Sequence, residues 1–253
     1  MPLRLFAFEC GRLELPHGFI LEGAKGRITL PVPAYLIDHP KGRVLFDSGL
    51  NVLTQSDPES YITSTGMRFN TFFFSPGEEV SSRLEAIDIA PDDIDLIVNS
   101  HLHYDHAGGN ALLPNADLLV QEPEWEHACA LPDEDVGYRK VDFQTGQKVR
   151  LVKGEHDLFG DGSVVAFPTY GHTPGHQSLR VRTDRGDFVL CGDACYLRHA
   201  LENDHLPGIL HDREAMLRIF ASFRSLEQAG ARLVFGHDPD MWDDIPRAPT
   251  RLG

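Results

Sequence analysis

Three histidines and an aspartate fall within six residues, at His101-Leu102-His103-Tyr104-Asp105-His106. Ordinary packing does not explain such a cluster. Protonated together the rings would repel one another, and buried without partners each polar group would cost free energy. Neutral imidazole and carboxylate are instead the donors taken by zinc and its first-row neighbours. Side chains two apart on an extended segment point the same way, so His101 and His103 can share one centre. Asp105 and His106 follow at a turn and can aim at a second point nearby. Gly108 and Gly109, just beyond, let backbone approach closely. This is half of a two-metal site, and its chemistry is hydrolysis: a water made acidic and an oxygen polarised by cations. The remaining ligands must come from elsewhere. His172 in Gly171-His172-Thr173, Asp193 in Gly192-Asp193-Ala194 and His237 in Gly236-His237-Asp238 each follow an apolar run and neighbour a glycine. Loops at strand ends are where α/β folds present such residues.

The elements that must hold these loops are mostly strands. Apolar runs with β-forming residues recur at Arg4–Phe8, Ala34–Ile37, Arg43–Phe46, Leu96–Val98, Leu118–Val120, Val164–Phe167, Ser178–Val181, Phe188–Leu190 and Leu233–Phe235, bounded by Gly, Pro, Asp or Asn. Helices lie between some of them. Ser75-Pro76-Gly77-Glu78 has capping-box spacing with Pro at the first helical position, followed by the stripe Val80, Leu84, Ile87. Glu122–Ala130 reads as a short helix. Asp212–Gly230 carries Met216, Ile219, Phe220, Phe223 and Leu226 on one face and Gly230 at its stop. Strands with one-sided helices imply sheets packed together with helices outside. Without repeats or linkers, residues 1–253 read as one hydrolase domain.

With 253 residues the chain can bury a core without disulfides or a structural metal. A formal net charge of −15 argues against nucleic acid and anionic membrane as partners, which need basic patches. Cys10, Cys129, Cys191 and Cys195 are scattered, Met1 to Glu14 lacks the layout of a signal peptide, and no apolar run is long enough for a membrane span. A cytoplasmic protein with reduced thiols is expected.

The chain resembles the metallo-β-lactamase superfamily, through His-x-His-x-Asp-His followed by a Gly-His, a Gly-Asp and a C-terminal Gly-His. Asp47-Ser48-Gly49 resembles that family's Asp-Thr-Gly turn, with Ser in place of Thr. Within the superfamily it is similar to the N-acyl-homoserine lactonases and related γ-lactone hydrolases. Four stretches carry the likeness: Ser100 to Asn110, Gly171 to Ser178, Gly192 to Tyr196, and Gly236 to Asp240. The resemblance implies an αββα sandwich of α/β (α+β) class with two divalent ions at one edge of the paired sheets. These are zinc in the first instance, with Fe, Mn or Co as alternatives. It also implies that His101, His103 and His172 hold one metal, that Asp105, His106 and His237 hold the other, and that Asp193 bridges both. Two divalent ions outweigh Asp105, Asp193 and an attacking hydroxide, leaving positive charge for a developing oxyanion. Tyr196, three residues after the bridging aspartate, is the mark of the lactonases. It would polarise the ring carbonyl while Asp105 relays a proton to the leaving alkoxide. The resemblance extends to a homodimer.

Other residues carry less. His176, Asp47 and Asp238 are expected to orient ligands rather than bind metal. Cys195 stands where a small or hydroxyl residue is expected and could tune the pocket. Phe69, Phe72, Phe73 and Phe74 either pack the core or line an apolar substrate pocket. Lactone hydrolysis competes with hydrolysis of thioesters or phosphotriesters on the same metals. Glutathione thioesters call for a basic cluster, and Arg247 and Arg251 are isolated. A di-iron, oxygen-reducing branch would put a carboxylate where a histidine stands here. The loops 13–21, 61–74 and 199–210 are the candidates for shaping the pocket.

Overall fold

The computed structural model describes residues 3–62, 69–132 and 137–253. Twelve strands are described: β1 (Arg4–Pro16), β2 (Arg27–His39), β3 (Gly42–Phe46), β4 (Thr71–Phe73), β5 (Leu96–Val98), β6 (Asp117–Gln121), β7 (Val149–Val152), β8 (His156–Asp157), β9 (Val164–Pro168), β10 (Gln177–Thr183), β11 (Gly186–Leu190) and β12 (Arg232–Val234). They form two mixed sheets, ordered β4-β1-β2-β3-β5-β6-β7 and β12-β11-β10-β9-β8. β3, β5, β6 and β7 run parallel, as do β11 and β12; the other pairings are antiparallel.

Side chains alternate across a strand, and here the alternation sorts the core into layers. Leu5, Ala7, Tyr35, Ile37, Val44, Phe46, Leu96, Val98 and Leu119 of the first sheet meet Val164, Ala166, Leu179, Val181, Phe188 and Leu190 of the second. Their neighbours Phe6, Phe8, Leu36, Leu45, Ile97, Leu118 and Val120 face outward to Val80, Leu84 and Ala128 of the helices Val80–Glu85 and Glu122–Ala130. Val189 and Leu233 of the second sheet, with Cys191 just past β11, face Met216, Phe220 and Phe223 of the helix Arg213–Gln228. The result is the expected αββα sandwich.

Most strand runs lie where the sequence places them, within longer elements. The greatest extension is the β1–β2 hairpin, thirteen residues a side. Its register shifts between Glu9 and Arg12, and its far half carries Leu13, Leu15, Leu30 and Val32 into the cluster beside the site. The helix expected from Ser75 begins later, at Val80. Ser75 and Glu78 do bond each other, Ser75 N–H to Glu78 Oε2 at 2.7 Å and Glu78 N–H to Ser75 O at 3.0 Å, but they close a turn instead of capping a helix. Asp212 caps the long helix by accepting from Ala215 N–H at 2.9 Å. Among the described residues no helix is long and apolar enough to cross a membrane, and the four cysteines are free thiols.

Candidate metal centre

All seven nominated residues converge at one end of the paired sheets. The chain leaves β5 and presents His101 and His103, then turns into the short helix Tyr104–Ala107, which carries Asp105 and His106. His172 comes from the loop after β9, Asp193 from the turn after β11 and His237 from the loop after β12. Two close approaches hold the first loop against the backbone of residues 48–51. A Cβ on Gly109 would lie 2.3 Å from Ser48 O, and one on Gly108 2.3 Å from Asn51 N. Only glycine fits there.

Ligand atoms of His101, His103, His172 and Asp193 lie within 4.8 Å of one another, and so do those of Asp105, His106 and His237. Asp193 faces both groups. Its Oδ1 is 3.0 Å from His237 Nε2 and 3.3 Å from His106 Nε2, and its Oδ2 is 3.4 Å from His172 Nε2 and 3.7 Å from His101 Nε2. All these residues are buried except His103, which is half-buried.

The outer ring nitrogens show which tautomers are present. His106 Nδ1 is 2.9 Å from Asp47 Oδ2, and His237 Nδ1 is 2.7 Å from Pro31 O. Both partners only accept, so both Nδ1 atoms carry protons, and in the neutral rings the inward Nε2 atoms would offer lone pairs. Those Nε2 atoms stand 3.2 Å apart, and Asp193 Oδ1, at 3.0 and 3.3 Å from them, is buried without a hydrogen-bond partner. Burial resists protonation of His106, but Asp193, Asp105 and Asp47 outweigh it and draw its pKa well up. Asp193 likewise raises that of His237 against burial. Two facing imidazolium ions would repel. A cation between these lone pairs satisfies the orphaned oxygen and removes the repulsion, so the donor set fits a metal. On the other side, burial and neighbouring rings hold His101 and His172 well below the ordinary histidine value. Burial takes His103 down to about 3. Neutral rings are what a cation requires.

The outer contacts are built as carefully. Asp47, with a left-handed φ of 60°, accepts from Ser100 N–H at 2.6 Å and Ser100 Oγ at 2.8 Å besides His106. His176 does not join the ligands. Its Nε2 accepts the Asp193 N–H at 3.0 Å, and its Nδ1 meets Thr169 Oγ1 at 2.8 Å. Asp238, expected to orient a ligand, instead accepts from Arg198 N–H at 2.7 Å and caps the helix Pro239–Asp244 through Met241 N–H at 3.1 Å. Cys195 is buried against Leu197 O at 3.5 Å, away from the cavity.

One buried carboxylate beside the centre carries no signal of its own in the sequence. Glu124, fully buried on the helix Glu122–Ala130, accepts from Leu102 N–H at 3.0 Å and Tyr138 OH at 2.9 Å on Oε1. On Oε2 it accepts from Thr173 Oγ1 at 2.6 Å and Gly175 N–H at 3.1 Å. It thus ties the His101–His103 loop to the His172 loop. Among glutamates at 122, 124 and 126 it reads in sequence as an ordinary acidic first turn, and nothing local distinguishes it.

A cavity of about 400 Å³ opens over the centre. Its described lining includes His103, Asp105, His172, Asp193, Tyr196 and His237, with Leu15, Phe19, Ile20, Leu30, Phe69 and Ile209 around them. Tyr196 packs against His237, with centroids 5.7 Å apart, and its hydroxyl is 3.4 Å from His172 Nδ1. The phenylalanines divide: Phe69 lines the cavity, Phe74 is core, Phe72 is half-buried and Phe73 is exposed. A larger cavity of about 850 Å³ beside β12 holds none of the seven residues; the chemistry belongs to the smaller one.

A four-layer sandwich with this histidine and aspartate constellation at its edge defines a class, and comparison agrees: the chain belongs to the metallo-β-lactamase superfamily, whose model matches residues 27–237. Among similar proteins are the N-acyl homoserine lactonase AttM of Azorhizobium caulinodans (strain ATCC 43989), 33% identical over 98% of this chain and 97% of its own, and the N-acyl homoserine lactonase of Bacillus thuringiensis, 29% identical over 93% of both. The fold also superimposes on an N-acyl homoserine lactone hydrolase with the product N-hexanoyl-L-homoserine at its catalytic metal centre. That match has a TM-score of 0.88 and 26% identity and covers 98% of each chain.

Proposed function

We propose that this chain is a dinuclear metal hydrolase that opens lactone rings, chiefly those of N-acyl-L-homoserine lactones, and so removes such molecules as signals. One observation carries the reading: Asp193 turns one oxygen to each of two groups of ligand atoms, beneath a cavity that Tyr196 lines. His101, His103 and His172 would hold one ion and Asp105, His106 and His237 the other, with Asp193 facing both groups. The nitrogen-rich set favours zinc and accepts Fe, Mn or Co. When bound, the two cations supply Lewis acidity toward the ring carbonyl and toward the attacking water.

The chain's own residues do the rest. Tyr196 donates its hydroxyl proton in a hydrogen bond to the carbonyl oxygen as negative charge develops there. Asp105 takes the proton released by the attacking water and passes it to the alkoxide as the ring C–O bond breaks. Asp47 fixes the tautomer of His106, and His176 fixes the backbone of Asp193. The apolar side chains around the centre exclude water and suit an acyl chain. No Lys or Arg stands among the described lining residues, which disfavours anionic glutathione thioesters. The lactonase relatives named above support the choice of bond. We further propose that residues 1–253 form a single domain, that the chain pairs as a homodimer and that it resides in the cytoplasm.

The test is a panel of a homoserine lactone, a thioester and paraoxon, run before and after chelation and zinc restoration. Turnover of the lactone that disappears with metal and returns with zinc is expected. Full activity in the stripped protein, or no lactone turnover after zinc loading, refutes the reading.

A further inference from the structure

Tyr104 lies in the chain between His103 and Asp105, and the steps above do not use it. Its ring is almost wholly buried and meets Phe72 edge-on, with centroids 6.2 Å apart. Its hydroxyl accepts a hydrogen bond from Asn70 Nδ2 at 2.7 Å and, among the described residues, donates to nothing. Asn70 Oδ1 is itself buried without a partner. Among the described residues the amide reaches only the tyrosine hydroxyl and leaves its own acceptor unmet. It holds that hydroxyl in place, and a hydroxyl that accepts becomes a stronger donor.

Both residues line the cavity of about 400 Å³. Along the chain Asn70 adjoins Phe69, whose ring meets Phe19 edge-on with centroids 4.8 Å apart. The Tyr104–Asn70 pair therefore connects the ligand-bearing segment to the apolar wall. A molecule that reacts at the metal end and lays a tail on Phe19 and Phe69 passes this pair between the two. The group it needs there is an acceptor, which a carbonyl oxygen provides.

Resting on the lactonase reading, we infer that the Tyr104 hydroxyl, aimed by Asn70, donates to a carbonyl that the substrate carries beyond its lactone ring, and so selects acylamino lactones over plain ones. Sites built to hydrogen-bond a polar group discriminate strongly against analogues that lack it. Tyr104 is a specificity residue and Asn70 its positioning residue.

The experiment uses the zinc-loaded protein and its Tyr104→Phe variant, which keeps the ring and its contact with Phe72. Calorimetry gives Kd for the ring-opened compounds N-hexanoyl-L-homoserine and 4-hydroxybutanoate, and kinetics gives kcat/KM for N-hexanoyl-homoserine lactone and γ-butyrolactone. Loss of one hydrogen bond should lower the preference for the acylamino compound about fivefold to tenfold in both measurements. Asn70→Ala should move it the same way, and should add nothing to Tyr104→Phe. A change in the binding preference below about threefold, whatever happens to absolute rates, overturns the inference, because a plain core tyrosine would affect both compounds alike. Failure of the wild type to turn over any lactone refutes the lactonase reading instead, and the binding preference still decides the role of Tyr104.

Discussion

Replacing Glu124 by Gln tests whether one buried carboxylate holds the two ligand loops together. Each carboxylate oxygen accepts two hydrogen bonds, one from a hydroxyl and one from a backbone N–H. Burial pushes the pKa of Glu124 up, but its four donors pull the other way and suit the ionised form. Glutamine keeps one oxygen and turns an NH₂ group toward the other pair of donors. Tyr138 or Thr173 can rotate its hydroxyl and accept from that amide. A backbone N–H cannot, so Leu102 or Gly175 loses its acceptor whichever way the amide lies. An unmet buried donor costs about 1–3 kcal/mol, and two charge-assisted bonds turned neutral add roughly 1 kcal/mol. The total is about 3 kcal/mol, or a fall in Tm on the order of 9 °C for a domain of this size. Leu102 lies between His101 and His103, and Thr173 follows His172, so metal affinity should also fall roughly tenfold to a hundredfold. Urea unfolding of the metal-free protein measures the first effect and competition with a chromophoric chelator the second. Stability within about 0.5 kcal/mol of wild type together with metal affinity within about twofold would refute the reasoning.

Three further outcomes are expected. Tyr196→Phe should lower kcat on a homoserine lactone by roughly 10²-fold while metal analysis still finds two ions per chain; lost metal would make Tyr196 structural. Asp47→Ala should free His106 Nδ1 and weaken metal binding about tenfold or more, seen by equilibrium competition, with no change contradicting the assignment. Asp142 gives a pH signature away from the centre. Burial raises its pKa to about 7, although Tyr61 and Asn51 hydrogen-bond to it. The folded chain then keeps a proton that the unfolded chain releases near 3.8. The stability this proton represents is fully present below about pH 4 and is lost as pH rises through about 7, up to about 4 kcal/mol in all. Denaturation of wild type and Asp142→Asn across that range should show the wild type losing ground as pH rises; parallel curves would count against it.

What the sequence determined by itself was chemical. His101-Leu102-His103-Tyr104-Asp105-His106 gathers four candidate ligands in one stretch, and short unbroken apolar runs such as Val44–Phe46 and Leu96–Val98 mark strands that carry the loops. The glycines at 108 and 109 are legible because close backbone approach leaves few other choices. Element ends were less legible. The β1–β2 hairpin extends far past its apolar runs because its outer half is held by pairing across the ladder and by packing beside the site, neither of which is a local property. Ser75 N–H bonds the Glu78 carboxylate as in a capping box, but the Ser75 carbonyl takes the Glu78 N–H, and only the path of the chain shows that they close a turn.

The tertiary structure decided which groups meet. Asp238 and Asp47 carry the same expectation from sequence, that of orienting a ligand. Folding turns Asp47 onto His106 and Asp238 onto a helix terminus. Glu124 is one of three alternate glutamates until the fold buries it beneath two loops more than seventy residues apart. The division of the candidate ligands into two groups, with Asp193 facing both, likewise rests on strands far apart in the chain arriving at one edge. Residue type sets what a side chain can bind, but distance sets what it does bind, and distances between remote segments come only from the packed chain.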